Sequence, residues 1–215
     1  MDCGTLFIDV GLEAGATPWW IAAFKGEFMN MVSRVRDILV SPNAEWPVIA
    51  AEPADIGALY TGYIAPLAAI GPIATLVGAV LRGYGTGAIV ILAVIGFVFA
   101  LITVFIVGLV FGKVAPMFGG RDDMDRGLKL VAYSSTPYWL GGIFNLVPLL
   151  GLLALVAAIY GIYLLYLGAT PVMGVPRDKA VGYTVVAVII YIALTVLIGM
   201  VVGVVFLAMI GGAAR

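Results

Sequence analysis

The 215-residue chain has no histidine and a single cysteine, Cys3. A disulfide within the chain is therefore impossible, and the imidazole and thiolate sets that hold zinc, haem or iron–sulfur clusters are missing. No cofactor is expected. Without histidine, a serine or threonine nucleophile would need some other base beside it, such as a lysine at depth. Charge is almost as scarce, because Asp, Glu, Lys and Arg together make up 11% of the chain and leave a net charge of −1. The 11 basic residues fall in short clusters rather than in one patch or tail, which argues against nucleic acid as a partner. Apolar residues take up the difference at 63%, against about 45–50% in soluble domains. The mean hydropathy is +1.16.

That excess lies in four charge-free stretches: Ile56–Leu81 (26 residues), Gly83–Gly112 (30), Leu130–Pro176 (47) and Ala180–Ala214 (35). A helix needs about 20 apolar residues to cross about 30 Å of hydrocarbon, so the third stretch holds two crossings and a tight turn. The pattern predicts an all-α integral membrane bundle of five transmembrane helices near Leu59–Leu81, Ala88–Phe111, Leu128–Val147, Leu152–Val172 and Tyr183–Met209. Orientation follows from the bias of Lys and Arg toward the cytoplasmic side. With the amino terminus inside, Lys25, Arg34, Arg36, Lys113, Arg121, Arg126, Lys129, Arg177 and Lys179 are cytoplasmic, and only Arg82 and Arg215 are not. Nine against two predicts a cytoplasmic amino terminus and a periplasmic carboxyl terminus. All 23 charged residues then lie at span ends or in loops, which leaves no ionised group at depth for catalysis, so no enzymatic activity is expected.

Residues 1–23 lack the basic n-region of a secretory signal and are expected to be a disordered extension. Residues 24–55 form a cytoplasmic interfacial segment, 56–211 the transmembrane domain and 212–215 a tail. From Phe24 the apolar residues Phe24, Phe28, Met31, Val32, Val35, Ile38 and Leu39 share one helical face. That face predicts a helix lying in the headgroup plane, anchored by Phe24, Phe28 and Val32 in the acyl boundary and by Arg34 and Arg36 near anionic lipid. The alternative is a helix packed on the protein's own spans. Ser41-Pro42 ends it, Ser41 being placed to cap a short second helix, and Trp46 suits the membrane interface.

Prolines fall inside the expected spans at Pro66, Pro72 and Pro137. Pro137 follows Ser134-Ser135-Thr136, and nearby hydroxyls or a neighbouring helix must cover the carbonyl it leaves without a donor. The arrangement reads either as a kink that shapes the bundle or as a hinge with a polar groove lined by Ser134, Ser135, Thr136 and Asn145. Two GxxxG matches, Gly108 with Gly112 and Gly199 with Gly203, mark helix-packing faces or an oligomer contact. Tyr160, Tyr163 and Tyr166 read as interfacial anchors, and the cluster Arg121-Asp122-Asp123-Met124-Asp125-Arg126 reads as a solvated loop whose spacing does not fit a calcium site.

The amphipathic head, Ser41-Pro42-x-x-Glu45-Trp46, five spans, and Ala132-Tyr133-Ser134-Ser135-Thr136-Pro137 within the third resemble the Yip1 family, its bacterial branch above all. The resemblance covers roughly Met31 to Ile210 and includes Phe118-Gly119-Gly120 and the Tyr160–Gly168 segment. It implies five helices and a cytoplasmic amino terminus. Eukaryotic members act in vesicle trafficking with Rab GTPases and carry Asp-Leu-Tyr-Gly-Pro before the first span. Asp55 and Leu59-Tyr60 are only a loose echo of that motif, so this partner is not carried over. The resulting expectation is a non-enzymatic protein of the bacterial inner membrane that organises membrane lipids or partner proteins through its interfacial helix and kinked bundle, as a monomer or a homo-oligomer. Two other readings stand beside it, a passive transporter or lipid scramblase using the Pro137 groove and an accessory subunit of a larger membrane complex.

Overall fold

The computed structural model describes residues 19–84, 86–147 and 150–213, with side-chain surroundings left out at 19–28, 86, 88, 151, 201, 202 and 205–213. Among the described residues the chain is helical throughout, without a strand. Two helices, α1 (Trp19–Val40) and α2 (Pro42–Ala51), precede α3 (Ile56–Leu81) and α4 (Thr86–Val114). Then come α5 (Met124–Ser134), α6 (Thr136–Gly141) with a 3-10 turn at Gly142–Leu146, α7 (Gly151–Met173) and α8 (Arg177–Ala213). Helix α1 begins five residues ahead of the expected Phe24, so residues 19–23 are helical.

Four stretches are long and apolar enough to cross a membrane: Ile56–Leu81, Ile89–Phe118, Leu152–Met173 and Arg177–Met200. The expected third span is different in kind, since α5 stops at Ser134, Ser135 stands between, and α6 restarts with Pro137 in its first turn. Proline has no N–H to give to the preceding turn and its ring crowds it, which favours the break here, although α2 and α7 run on through Pro47 and Pro171. Helix α3 accommodates Pro66 differently, through a π turn at Tyr60–Ile64 just ahead of the proline. Its start is capped by Asp55, whose Oδ1 accepts from the Ala58 N–H at 2.9 Å. Ser41 sits at the N-cap of α2, yet its side chain makes no capping bond, and its carbonyl accepts from Ala44 and Glu45 instead.

Glycine decides how closely α4 and α5 approach. A Cβ on Gly108 would lie 2.7 Å from the Leu128 Cα, and one on Gly112 would lie 2.6 Å from the Asp123 carbonyl oxygen. From the other side, a Cβ on Gly127 would lie 2.6 Å from the Gly112 backbone nitrogen and press on the Gly108 carbonyl. In a membrane, contact between bare backbones supplies the van der Waals attraction that apolar burial cannot, because lipid is as apolar as the partner helix. Gly199 and Gly203 are different. Nothing lies within 4 Å of a Cβ on either, so that second stripe packs on nothing within the described chain.

The core gathers at the end of the bundle that carries the basic residues. Trp46, 1% exposed, meets Tyr133 edge-on at 6.4 Å between ring centroids, and Tyr133 in turn lies 4.6 Å from Tyr63. Tyrosine hydroxyls pin helices together across long sequence distances: Tyr160 donates to the Leu39 carbonyl at 2.6 Å, Tyr60 to Leu101 at 3.0 Å and Tyr183 to Phe111 at 3.2 Å. Tyr160 is therefore a tie between α7 and the end of α1 rather than a free interfacial anchor, whereas Tyr163 and Tyr166 remain exposed on α7.

Candidate functional site

The head is fastened to the bundle, which corrects the expectation that its face is committed to lipid. Ile38 is fully buried, and Met31, Val35 and Leu39 pack partly buried against the core. The Arg34 guanidinium turns inward to pair with both Glu45 and Glu52. Burial pulls its pKa down, but the Glu52 and Glu45 carboxylates outweigh this and hold it above the ordinary value. Trp46 is likewise packed inside the protein rather than facing outward. Val32 and Arg36 stay exposed, and the side chains of Phe24 and Phe28 lie outside the described residues. A periodic apolar face says that something covers it, and here the cover from Met31 onward is largely the protein.

Lys129 is the functional-looking residue that sequence reasoning passed over. It was placed as a topology marker at the mouth of the third span, but it is 6% exposed and donates from Nζ to the Ile49 carbonyl at 3.1 Å and the Glu52 carbonyl at 2.6 Å. An ammonium at the carboxyl end of α2 meets the orphan carbonyls and the negative end of the helix dipole. Its sequence signal was a lysine abutting a 47-residue charge-free run, with Glu45 and Glu52 in the preceding head. Lys129→Met keeps the stem and removes the donors, and should lower stability by about 1–3 kcal/mol, the cost of orphaned buried acceptors, as read by thermal unfolding in detergent.

The acidic loop is committed to structure. Asp123 caps α5 through the Arg126 N–H at 3.0 Å, Asp122 pairs with Lys113 at 2.9 Å, and Arg126 reaches the Val172 carbonyl at 3.1 Å.

Around the break in the third segment the expected groove residues part company. Thr136 is fully buried and its hydroxyl bonds to the Tyr63 hydroxyl at 2.7 Å, in the core. Asn145 and Pro72 line a separate cavity of about 650 Å³ near Arg82, at the far end of α3. Pro66 is exposed on α3, and Pro137 is buried at the start of α6. These residues do not form one polar stripe between the two faces. Only Ser134 and Ser135 remain together, in a cleft of about 340 Å³ whose other walls include Val131, Tyr138, Gly161 and Tyr191.

Two features distinguish this cleft. The Ser134 carbonyl oxygen sits so close to Gly161 that a Cβ there would lie at 2.8 Å, so the broken helix is pressed onto α7. The Ser134 side chain is 7% exposed and its Oγ has no hydrogen-bond partner. Thr184 and Thr195 on α8 are satisfied by the carbonyl four residues back, Ala180 at 2.8 Å and Tyr191 at 2.8 Å. An unsatisfied buried hydroxyl is costly, so Ser134 is the buried polar side chain of this cleft with capacity to spare. The rim residues Tyr138, Ile162 and Ile192 are exposed on the outer surfaces of α6, α7 and α8.

Comparison with curated proteins and with solved structures returns no match. The family model described as Yip1 domain matches residues 36–200, from the last turn of α1 to the middle of α8. That stretch holds the inward-turned end of the head, the glycine contact between α4 and α5, and the Ser134–Pro137 break. The apolar helices and this match together make the chain a multi-pass membrane protein, and it belongs to the Yip1 domain family.

Proposed function

We propose that this chain is a non-enzymatic protein of the bacterial inner membrane that crosses the bilayer five times and organises lipid at the cleft beside its broken third segment. Several observations support five crossings. The helical pieces from Met124 to Leu146, α5, α6 and the 3-10 turn, sum to about 35 Å of length, enough for the hydrocarbon core if laid end to end. Its beginning lies beside the head, where Lys129 meets Glu52 just before α3. Its end lies beside the far end of α3, where Arg82 donates to the Leu146 carbonyl at 3.0 Å.

The observation that carries the lipid reading is the cleft itself, with largely apolar walls, a rim on the outer surface of three spans, and a buried hydroxyl without a partner. In water such a space would stay dry or take an apolar guest; in a bilayer the available guest is an acyl chain. Filling it should exclude that chain. Phosphatidylcholine spin-labelled midway along one acyl chain, reconstituted with the protein, should show an immobilised component that falls by about half or more in Ala158→Phe, which places a ring where Ala158 now lines the cleft. An immobilised fraction equal in the two proteins, with both folded, would overturn the reading.

A further inference from the structure

At the opposite corner of the α7–α8 pair, on the face that carries the basic residues, α2 leaves a second opening of about 420 Å³ against the turn between them. Its chemistry differs from that of the Ser134 cleft. Asn43 and Trp46 come from α2, Thr170 from α7 and Arg177 from the first turn of α8, with Pro47 and Leu167 as apolar walls. The indole Nε1–H of Trp46 is buried in a residue only 1% exposed and has no partner. The amino terminus of α8, where the Lys179 N–H turns back to the Pro176 carbonyl at 2.9 Å, adds the positive end of a long helix dipole. Arg177 is exposed and makes no ion pair among the described residues. The one carboxylate in that first turn is Asp178, itself exposed.

We infer that this opening binds the phosphate of an anionic phospholipid headgroup. The groups that meet there include a guanidinium, a helix amino terminus, an unpartnered indole N–H and the amide and hydroxyl of Asn43 and Thr170, and anions are what such a set recognises. Lipid rather than free phosphate is favoured by position, because Arg177 opens an apolar helix and therefore sits at headgroup level, and because Pro47 and Leu167 offer apolar surface that inorganic phosphate could not use. The site shares no lining residue with the Ser134 cleft, so either can fail without the other.

The test uses the full chain in nanodiscs of phosphatidylcholine with and without phosphatidylglycerol, reading bound lipid by native mass spectrometry and stability by thermal unfolding. Phosphatidylglycerol should be retained and should raise the unfolding temperature, and Arg177→Gln should weaken retention by about tenfold, the size expected for one charge-assisted contact. Trp46→Phe, which keeps a ring and removes the N–H, should weaken it less. Lys113→Gln, at an exposed cation that lines neither opening, should leave it unchanged. Equal retention by Arg177→Gln and the unaltered chain would overturn the proposal, as would equal losses in Arg177→Gln and Lys113→Gln, which would mean diffuse attraction to charge. Stabilisation by inorganic phosphate in phosphatidylcholine alone, to the same extent as by phosphatidylglycerol, would also overturn it in favour of a free-anion site.

Discussion

Gly127→Val should be the most damaging single substitution on the α4–α5 contact, lowering stability by about 3 kcal/mol or more, at or beyond the upper end for overpacked sites. The reason is what the new atoms meet. A Cβ on Gly127 alone would stand 2.6 Å from the Gly112 nitrogen and 3.0 Å from its Cα, and these are backbone atoms of a helix that cannot rotate out of the way as a side chain would. Relief requires α4 and α5 to separate along their length, which would also disturb the contact of Gly108 with Leu128 and the fastening of Lys129 to the head. The matched control is Gly199→Val. Gly199 belongs to a GxxxG pair, but a Cβ there has open space, so unfolding in detergent should change by well under about 1 kcal/mol, set by helix propensity alone. If Gly199→Val leaves the unfolding temperature intact but shifts the oligomeric state, the second stripe is an intermolecular contact.

Trp46 and Gly168 form the second large effect, and they should be coupled. A Cβ on Gly168 would lie 2.8 Å from two indole atoms of Trp46, so Gly168→Val drives a branched side chain into a rigid ring already packed against Tyr133. The expected cost is about 1–3 kcal/mol from overpacking. Trp46→Ala alone leaves a hole at one of the largest fully buried side chains and should cost about 3–5 kcal/mol. In the double variant the valine grows into space the indole has left, so the sum of the single losses should exceed the measured double loss by about 1 kcal/mol or more. Strict additivity would mean that the two residues do not share that space.

The architecture was legible where lipid imposes it. Charge-free length located four of the five expected spans to within several residues, and Pro137 after two serines and a threonine marked the place where the third segment breaks. What covers an apolar face was not legible, because a helix facing acyl chains and a helix facing its own bundle need the same residues. Arg34 and Trp46 read as facing lipid for that reason, whereas both turn into the protein. Their partners, Glu45, Glu52 and Gly168, are fixed by the fold and not by a periodicity within α1 or α2. Gly127 was missed because it belongs to no GxxxG pair, although the two glycines it touches do. The groove was half legible, since adjacency in sequence put Ser134, Ser135 and Thr136 together while a helical turn sends Thr136 to Tyr63 and leaves Ser134 at the cleft.

The five-crossing bundle depends on the broken segment passing through the membrane rather than dipping in and returning. Single cysteines placed by Tyr84→Cys, Asp122→Cys, Val147→Cys and Asp178→Cys in a Cys3→Ser background, labelled with an impermeant maleimide in sealed vesicles of known sidedness, measure this directly. Positions 84 and 147 should label from the periplasmic side and positions 122 and 178 from the cytoplasmic side. Labelling of position 147 from the same side as position 122 would contradict the crossing, and with it the placement of the Ser134 cleft within the bilayer.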